Sequence, residues 1–262
     1  MKIIHRISLT ASPDDLEALR RWRVSPKGDS FISFEVSEGH ANWPEIKAWL
    51  AERQPVDITR TTFTKKELRE AAWLTLTGSW HHGYPQPDDD FGFLEETYDT
   101  ADHCQVCGLG LVQNAPFRMV GEPSWGKHDL LQLHWVPDEF FTKPDVWQEV
   151  FAPLGVQRLP VVGLDGVELA TVVQLVAAEQ RLTANVEGLE HTVCSVCGRT
   201  KYAPVTRGMF PAQTWSLKQH YAKTLQGFGS GASGWHATVA SQKLAQAILD
   251  SRLRGVALRP VV

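Results

Sequence analysis

The stretch CQVCG at residues 104–108 returns as CSVCG at residues 194–198. These two segments contain all four cysteines of the 262-residue chain. Each segment can place two sulfurs on one turn, because the glycine lets the backbone curl past a bound ion. Two such turns, which we call knuckles, complete a tetrahedral set of sulfur ligands, with zinc as the expected ion. The predicted ligands are Cys104, Cys107, Cys194 and Cys197.

The spacer between the two cysteine pairs is 86 residues long. Zinc ribbons usually place about 15–20 residues between their pairs. Because this spacer is the size of a domain and contains its own apolar segments, we interpret residues 109–193 as a folded insertion. Loop closure permits this arrangement, since its entropy cost rises only logarithmically with length.

Other uses of the cysteines stay open at this point: two local disulfides, a redox-active dithiol, a catalytic zinc or an iron centre with the same ligands. The chain opens without a secretory signal, and no stretch approaches membrane-spanning length. We therefore expect a cytoplasmic protein, in which thiols stay reduced and free for metal. His103 and His191 flank the pairs and are expected to be neighbours of the site or exposed, rather than ligands.

Charge is distributed unevenly over a chain whose net charge is −4. Residues 191–262 contain nine basic residues and one aspartate, so the rest of the chain is strongly acidic. The two parts either neutralise one another within the fold or form separate partner surfaces.

The densest acidic run, residues 88–102, contains aromatic residues and no lysine or arginine. It is either a solvated loop or a surface for a basic protein, on which the charges steer the encounter and the rings anchor it. The predicted partner contacts are Asp88, Asp89, Asp90, Phe91, Phe93, Glu95 and Glu96.

Residues 1–100 predict an α+β region arranged as a ferredoxin-like layer. Alternating apolar residues indicate strands at 2–9, 31–36, 56–63 and 73–77, with helices between the first three and a capping box at 64–67. Residues 101–262 form the predicted zinc-binding region, which ends in a helix at 236–254 and a strand at 256–262. The overall expectation is an α+β fold containing a split four-cysteine zinc ribbon.

A glycine-rich segment at residues 227–234 contains a GxGxxG pattern. A dinucleotide site needs a buried strand before this pattern and an acidic residue about 20 positions after it. The sequence shows neither, so we interpret the segment as a flexible or anion-accepting loop. The three tryptophans of the spacer, Trp125, Trp135 and Trp147, are expected to pack in the core or at its rim.

Catalytic patterns are missing from the sequence. None of the ten histidines lies in an HExxH motif, and there is no GxSxG motif or paired-carboxylate frame. We therefore predict a protein that is not an enzyme and assign no catalytic residues.

The paired motif resembles the bacterial double-CXXCG motif family. Softer similarities lie in the segments 135–140, 197–202, 228–233 and 253–256, so the resemblance covers roughly residue 101 to the C-terminus. Some members of that family are described as immunity proteins that bind and neutralise a toxin delivered between neighbouring bacteria. The resemblance thus implies a cytoplasmic, zinc-stabilised binding protein with a toxin as its partner.

A nucleic-acid-binding zinc ribbon is the alternative function. The basic residues around and after the second knuckle would contact phosphates in that case, and binding would weaken steeply with salt. The residues concerned are Arg199, Lys201, Arg207, Lys218 and Lys223.

Overall fold

The computed structural model describes residues 1–211, 215 and 218–262, which form two compact units. The first unit contains Met1–Glu67 and Val205–Met209, and the second contains Leu68–Pro204 and Phe210–Val262. The first unit ends well before the predicted boundary at residue 100, because the next strand, Trp73–Gly78, pairs with strands of the second unit.

The first unit packs two helices against a three-stranded antiparallel sheet. Its elements are β1 (Lys2–Thr10), α1 (Pro13–Arg21), β2 (Phe31–Ser37), α2 (Trp43–Arg53) and β3 (Val56–Thr62), and α3 (Lys65–Glu70) follows them. The strand order is β2-β1-β3. In β1, His5, Ile7 and Leu9 are buried at alternate positions, as the sequence predicted. The ferredoxin-like topology is not confirmed, since it needs a β-α-β-β-α-β order.

The second unit combines a six-stranded sheet with a four-stranded sheet and a short two-stranded one. Its first elements are β4 (Trp73–Gly78), a 3₁₀ turn (Asp89–Phe91), α4 (Phe93–Thr97), β5 (Tyr98–Asp99), β6 (Val112–Gln113), β7 (Leu130–Leu131) and β8 (Phe141–Thr142). They are followed by α5 (Pro144–Val146), a π turn (Trp147–Phe151), a 3₁₀ turn (Ala152–Leu154), β9 (Gln157–Val162) and β10 (Glu168–Val176). The last elements are β11 (His191–Val193), β12 (Thr200–Tyr202), β13 (Tyr221–Ser230), β14 (Ser233–Ser241), α6 (Gln242–Asp250) and β15 (Val256–Pro260).

The six-stranded sheet has the order β11-β12-β13-β14-β4-β15. Only β12 and β13 pair in parallel, and the other neighbours are antiparallel. The predicted C-terminal strand is confirmed as β15, which pairs with β4. This sheet joins the second knuckle, which lies between β11 and β12, to the C-terminal elements.

The glycine-rich segment is not a loop before a long helix. Residues 221–230 form β13, a tight turn follows, and β14 returns antiparallel to β13. The helix that the sequence placed at 236–254 is the shorter α6, capped by the Ser241 side chain. The error arose because Lys218–Leu225 lacks the alternation of a half-buried strand, whereas Tyr221, Ala222, Lys223 and Thr224 are all buried.

The insertion folds around its own four-stranded sheet, in the order β7-β8-β10-β9. It is nevertheless not a separate domain, because its buried residues share a core with the six-stranded sheet. Leu130, Phe140 and Phe151 from the insertion belong to the same cluster as Leu76 and Leu244. The insertion is therefore part of the second compact unit.

Candidate metal centre

The first knuckle, residues 104–109, forms a tight turn whose geometry is set locally. The N–H of Gly108 donates to the carbonyl of Cys104 at 2.7 Å, and the N–H of Cys104 donates to the carbonyl of Leu109 at 2.9 Å. Gly108 has a φ of 76°, which glycine adopts without the steric strain of a side chain. The six residues 104–109 therefore close the turn by local hydrogen bonds, without help from distant residues.

The second knuckle, residues 194–199, repeats this geometry. The N–H of Gly198 donates to the carbonyl of Cys194 at 2.9 Å, and the N–H of Cys194 donates to the carbonyl of Arg199 at 2.9 Å. Gly198 has a φ of 72°. The sequence repeat is thus also a structural repeat.

The two knuckles bring the four cysteine sulfurs within 4.8 Å of one another. The sulfurs of Cys104 and Cys194 are 3.7 Å apart, and those of Cys107 and Cys197 are 3.6 Å apart. A disulfide needs about 2.05 Å, and all four cysteines are free. In a tetrahedral site with metal–sulfur bonds of about 2.3 Å, the sulfurs are about 3.8 Å apart. The predicted grouping is confirmed, and its spacing fits a metal ion rather than two disulfides.

The thiols differ in acidity because their surroundings differ. Hydrogen bonds from the backbone N–H groups of Cys197 and Val196 lower the pKa of Cys194 to about 6. A backbone hydrogen bond within the first knuckle lowers the pKa of Cys104 as well. Burial, in contrast, raises the pKa of Cys107 to about 11. Backbone N–H groups therefore favour the thiolate form that binds metals, while burial opposes it at one ligand.

The hairpin of β13 and β14 packs tightly onto the first knuckle, and its glycines make this approach possible. A side chain at Gly108 would collide with the carbonyl of Ala232 and lie 2.5 Å from the nitrogen of Gly234. A side chain at Gly234 would lie 2.7 Å from the carbonyl of Cys107, and one at Gly227 would lie 2.6 Å from Leu109. The glycine-rich segment thus serves close packing against the first knuckle, in place of the predicted flexible or anion-accepting loop.

Lys201 links the hairpin to the first knuckle through hydrogen bonds. Its ammonium donates to the carbonyls of Cys107 at 2.8 Å and Ser233 at 3.1 Å, and also to the carbonyl of Gly231. Arg199 reaches across to the segment just before the first knuckle, where it donates to the carbonyl of Asp102 at 2.8 Å. A hydrogen bond with the Asp102 carboxylate raises the pKa of Arg199, and the thiolates of Cys197 and Cys107 add to this effect.

These contacts weaken the nucleic-acid alternative. Lys201 and Lys223 are buried, and Arg199 is paired with Asp102 at 2.5 Å. Arg207 lies in the first unit and pairs with Glu38. Of the five basic residues that would contact phosphates, Lys218 alone is both exposed and without an ion pair to any residue that the structure describes.

The two flanking histidines do not join the sulfur cluster. His103 is half-buried, and burial lowers its pKa. His191 is exposed, and its Nδ1 lies 3.1 Å from the carbonyl of Leu189. Both positions agree with their expected place beside the site.

The acidic run divides between core and surface. Phe93 is 3% exposed and belongs to a hydrophobic core, so its prediction as a partner contact is wrong. Phe91, in contrast, is 52% exposed. Of the remaining predicted contacts, Asp88 is half-buried. The other four are exposed, namely Asp89, Asp90, Glu95 and Glu96.

Two aromatic residues that sequence analysis did not place on this surface lie beside Phe91. The ring of Trp135 is 4.5 Å from that of Phe91 and 4.5 Å from that of Tyr84, measured between centroids. Trp135 is 46% exposed, and Tyr84 is 40% exposed. Phe91 and Trp135 both have a positive φ, of 58° and 68°, which is strained for residues other than glycine. We call Tyr84, Asp88, Asp89, Asp90, Phe91 and Trp135 the acidic-aromatic surface.

A second polar cluster lies beside the first knuckle and was also missed by sequence analysis. Lys223 pairs with Asp138 at 3.1 Å and with Glu139. Gln174 donates to Glu139 at 3.1 Å. These side chains line a cavity of about 270 Å³ that Gly108 and Leu109 also border. One ammonium is thus shared by two carboxylates, and burial raises the pKa of Glu139. The cluster ties β13 and β10 to the segment just before β8.

Comparisons with known proteins assign no function to the chain. No protein-family model matches the chain, and a search of curated proteins found no match. Within the described residues, no helix is long and apolar enough to cross a membrane.

Proposed function

We propose that this chain is a non-enzymatic, cytoplasmic binding protein, stabilised by one zinc ion, that acts as an immunity protein and neutralises a cognate bacterial toxin. The observation that supports the zinc scaffold is the cluster of four sulfurs within 4.8 Å. The resemblance of the two knuckles to the double-CXXCG motif family supports the toxin as partner. No second function is proposed, because the basic residues of the nucleic-acid alternative are largely engaged within the chain.

Zinc would be held by Cys104, Cys107, Cys194 and Cys197, and it would join two turns that lie 90 residues apart in the sequence. When bound, the ion supplies positive charge that holds four thiolates together. The knuckles themselves provide the N–H groups that favour the thiolates and the turns that aim them. A closed four-sulfur site of this kind is typical of structural zinc rather than catalytic zinc, which keeps one position open.

The acidic-aromatic surface is the proposed contact with the toxin. Large rings next to uncompensated carboxylates suit a basic protein, since the rings supply buried area and the carboxylates supply complementary charge. Asp88, Asp89 and Asp90 form no ion pair with any residue that the structure describes, whereas Glu96 pairs with Arg118 at 3.3 Å. The three aspartates are therefore available for a partner.

Elemental analysis with thiol titration tests the scaffold. We expect one zinc per chain and four thiols that react only after chelation. Metal-free protein with four reactive thiols, even after reconstitution with zinc, would refute the scaffold.

A protection assay tests the toxin hypothesis. Cells that lack this gene should be killed by toxin-delivering neighbours, and the wild-type gene should restore survival. The triple variant Asp88→Asn, Asp89→Asn, Asp90→Asn should restore it poorly at equal protein levels. A matched control neutralises three other exposed carboxylates, Glu17→Gln, Glu179→Gln and Glu187→Gln, and should protect fully. Equal protection by both triple variants would remove the proposed surface, and survival without the gene would remove the function.

A further inference from the structure

Two lysines of the second unit are buried to the same degree but have different partners. Lys223 is 6% exposed, and Lys201 is 5% exposed. Lys223 lies between two carboxylates, those of Asp138 and Glu139. Lys201 meets only carbonyl oxygens, and no ion pair joins it to a carboxylate of the described residues.

Hydrogen bonding does not explain how Lys201 is tolerated. An ammonium group has three N–H donors, and the carbonyls of Cys107, Gly231 and Ser233 accept all three. The carbonyls are neutral, so the positive charge itself stays uncompensated. A buried charge is costly unless an opposite charge accompanies it.

The sulfur cluster is the group that can supply this negative charge. Lys201 contacts the carbonyl of Cys107 at 2.8 Å, and Cys107 carries one of the four sulfurs. Four thiolates around a divalent ion carry a net charge of about −2, because each bound cysteine is deprotonated. Two disulfides or four neutral thiols would carry none. Arg199 also faces the sulfurs, since the thiolates of Cys197 and Cys107 help to raise its pKa, but it is paired with the Asp102 carboxylate at 2.5 Å. Lys201 has no carboxylate partner among the described residues.

We propose that Lys201 is the built-in counter-cation of a metal–tetrathiolate centre. This inference rests on the proposed metal site and adds a role for a residue outside the ligand set. The buried ammonium stabilises the electron density on the thiolates, which retains the metal and reduces the attack of the bound sulfurs on electrophiles. The metal–tetrathiolate centre as a whole, with its net charge of about −2, in turn compensates the charge of Lys201 and secures the β13–β14 hairpin. Lys201 is thus a positioning and charge-balancing residue.

The test compares Lys201→Met with Lys201→Arg and with Lys223→Met in the full-length protein. Release of zinc to a chromogenic chelator should be about 10-fold faster or more in Lys201→Met, the size of effect found when outer-shell partners are lost. Alkylation of the zinc-loaded protein by iodoacetamide should also accelerate. In the cobalt-substituted variant, the thiolate-to-cobalt absorption should move to longer wavelength, since the sulfur electrons are less stabilised. Lys201→Arg should restore all three properties toward wild type.

The Lys223→Met variant controls for general destabilisation. It should unfold more easily, yet keep the wild-type cobalt spectrum and zinc-release rate after correction for the unfolded fraction. If Lys201→Met does not fold, Lys201→Gln retains an amide donor without the charge and carries the same comparison.

The outcomes separate this inference from the proposed function. A metal-loaded Lys201→Met protein with an unchanged spectrum and release rate would overturn the charge role while leaving the zinc scaffold intact. A wild-type protein that binds no divalent metal would overturn both. A spectral shift that Lys201→Arg reverses supports the inference, whether or not a toxin partner is found.

Discussion

The two knuckles have the same local geometry but different environments. Both close with the same pair of backbone hydrogen bonds and a left-handed glycine. The first is covered by the β13–β14 hairpin, and Cys104 and Cys107 are buried, whereas Cys194 and Cys197 are only partly buried. The difference shows that the motif determines the turn, while the surrounding fold determines how accessible and how acidic each thiol is.

Removal of one cysteine from either knuckle should destabilise the protein to a similar extent, although the two knuckles differ in burial. We expect Cys107→Ser and Cys194→Ser each to lower the free energy of unfolding by more than about 4 kcal/mol, the range in which loss of a metal falls. The two effects should be similar because the proposed ion would tie both knuckles. Denaturant unfolding with and without zinc measures them. A loss of stability confined to the buried Cys107 would show that the cysteines stabilise the protein by packing and not by binding metal.

Replacement of the knuckle glycines by alanine should lower the free energy of unfolding more in the first knuckle than in the second. Gly198→Ala should cost about 1–2 kcal/mol, because a side chain in the left-handed region is strained but meets no atom within 4 Å. Gly108→Ala should cost about 3 kcal/mol or more, since overpacking adds to the same strain. Thermal or urea unfolding of the pair would decide this. Equal losses would contradict the close packing of the hairpin on the first knuckle.

Thiol reactivity after metal removal should follow the pKa values. The pKa of Cys194 is about 6, so most of this thiol is ionised at pH 7.5, and acidification through 6 should slow its alkylation. The pKa of Cys107 is about 11, so its reaction should accelerate only toward alkaline pH. At pH 7.5 we expect Cys194 to react at least about 10-fold faster. Peptide mass spectrometry of iodoacetamide-treated, chelated protein would resolve the two sites.

The exposed valines at the knuckle tips should behave alike. Val106 is 54% exposed, and Val196 is 70% exposed. Val106→Thr and Val196→Thr should each change the free energy of unfolding by less than about 0.5 kcal/mol, as is usual for surface positions. The same unfolding measurements serve for both. A large loss at either tip would mean that the turn depends on contacts beyond its own motif.

Much of the candidate site could be predicted because its information is local. The five-residue repeat specified four cysteines and two turns, and the alternation in β1 specified a strand. Surface positions were harder to predict. Phe91 and Phe93 have similar sequence surroundings, yet one is exposed and the other is in the core. Trp135 reached the same surface from a segment more than 40 residues further along the chain.

The sequence by itself determined the two turns, the cysteines that they carry and the first strand, because hydrogen bonds over a few residues and alternating burial depend on neighbouring positions. Only the tertiary structure decided that the glycine-rich segment is a hairpin packed on the first knuckle. The same holds for the burial of Lys201 against both the hairpin and the knuckle. The contact between Lys201 and Cys107 spans 94 positions. Such contacts depend on which strands pair, and strand pairing is set by the packing of the whole core, not by the residues next to Lys201 in the chain.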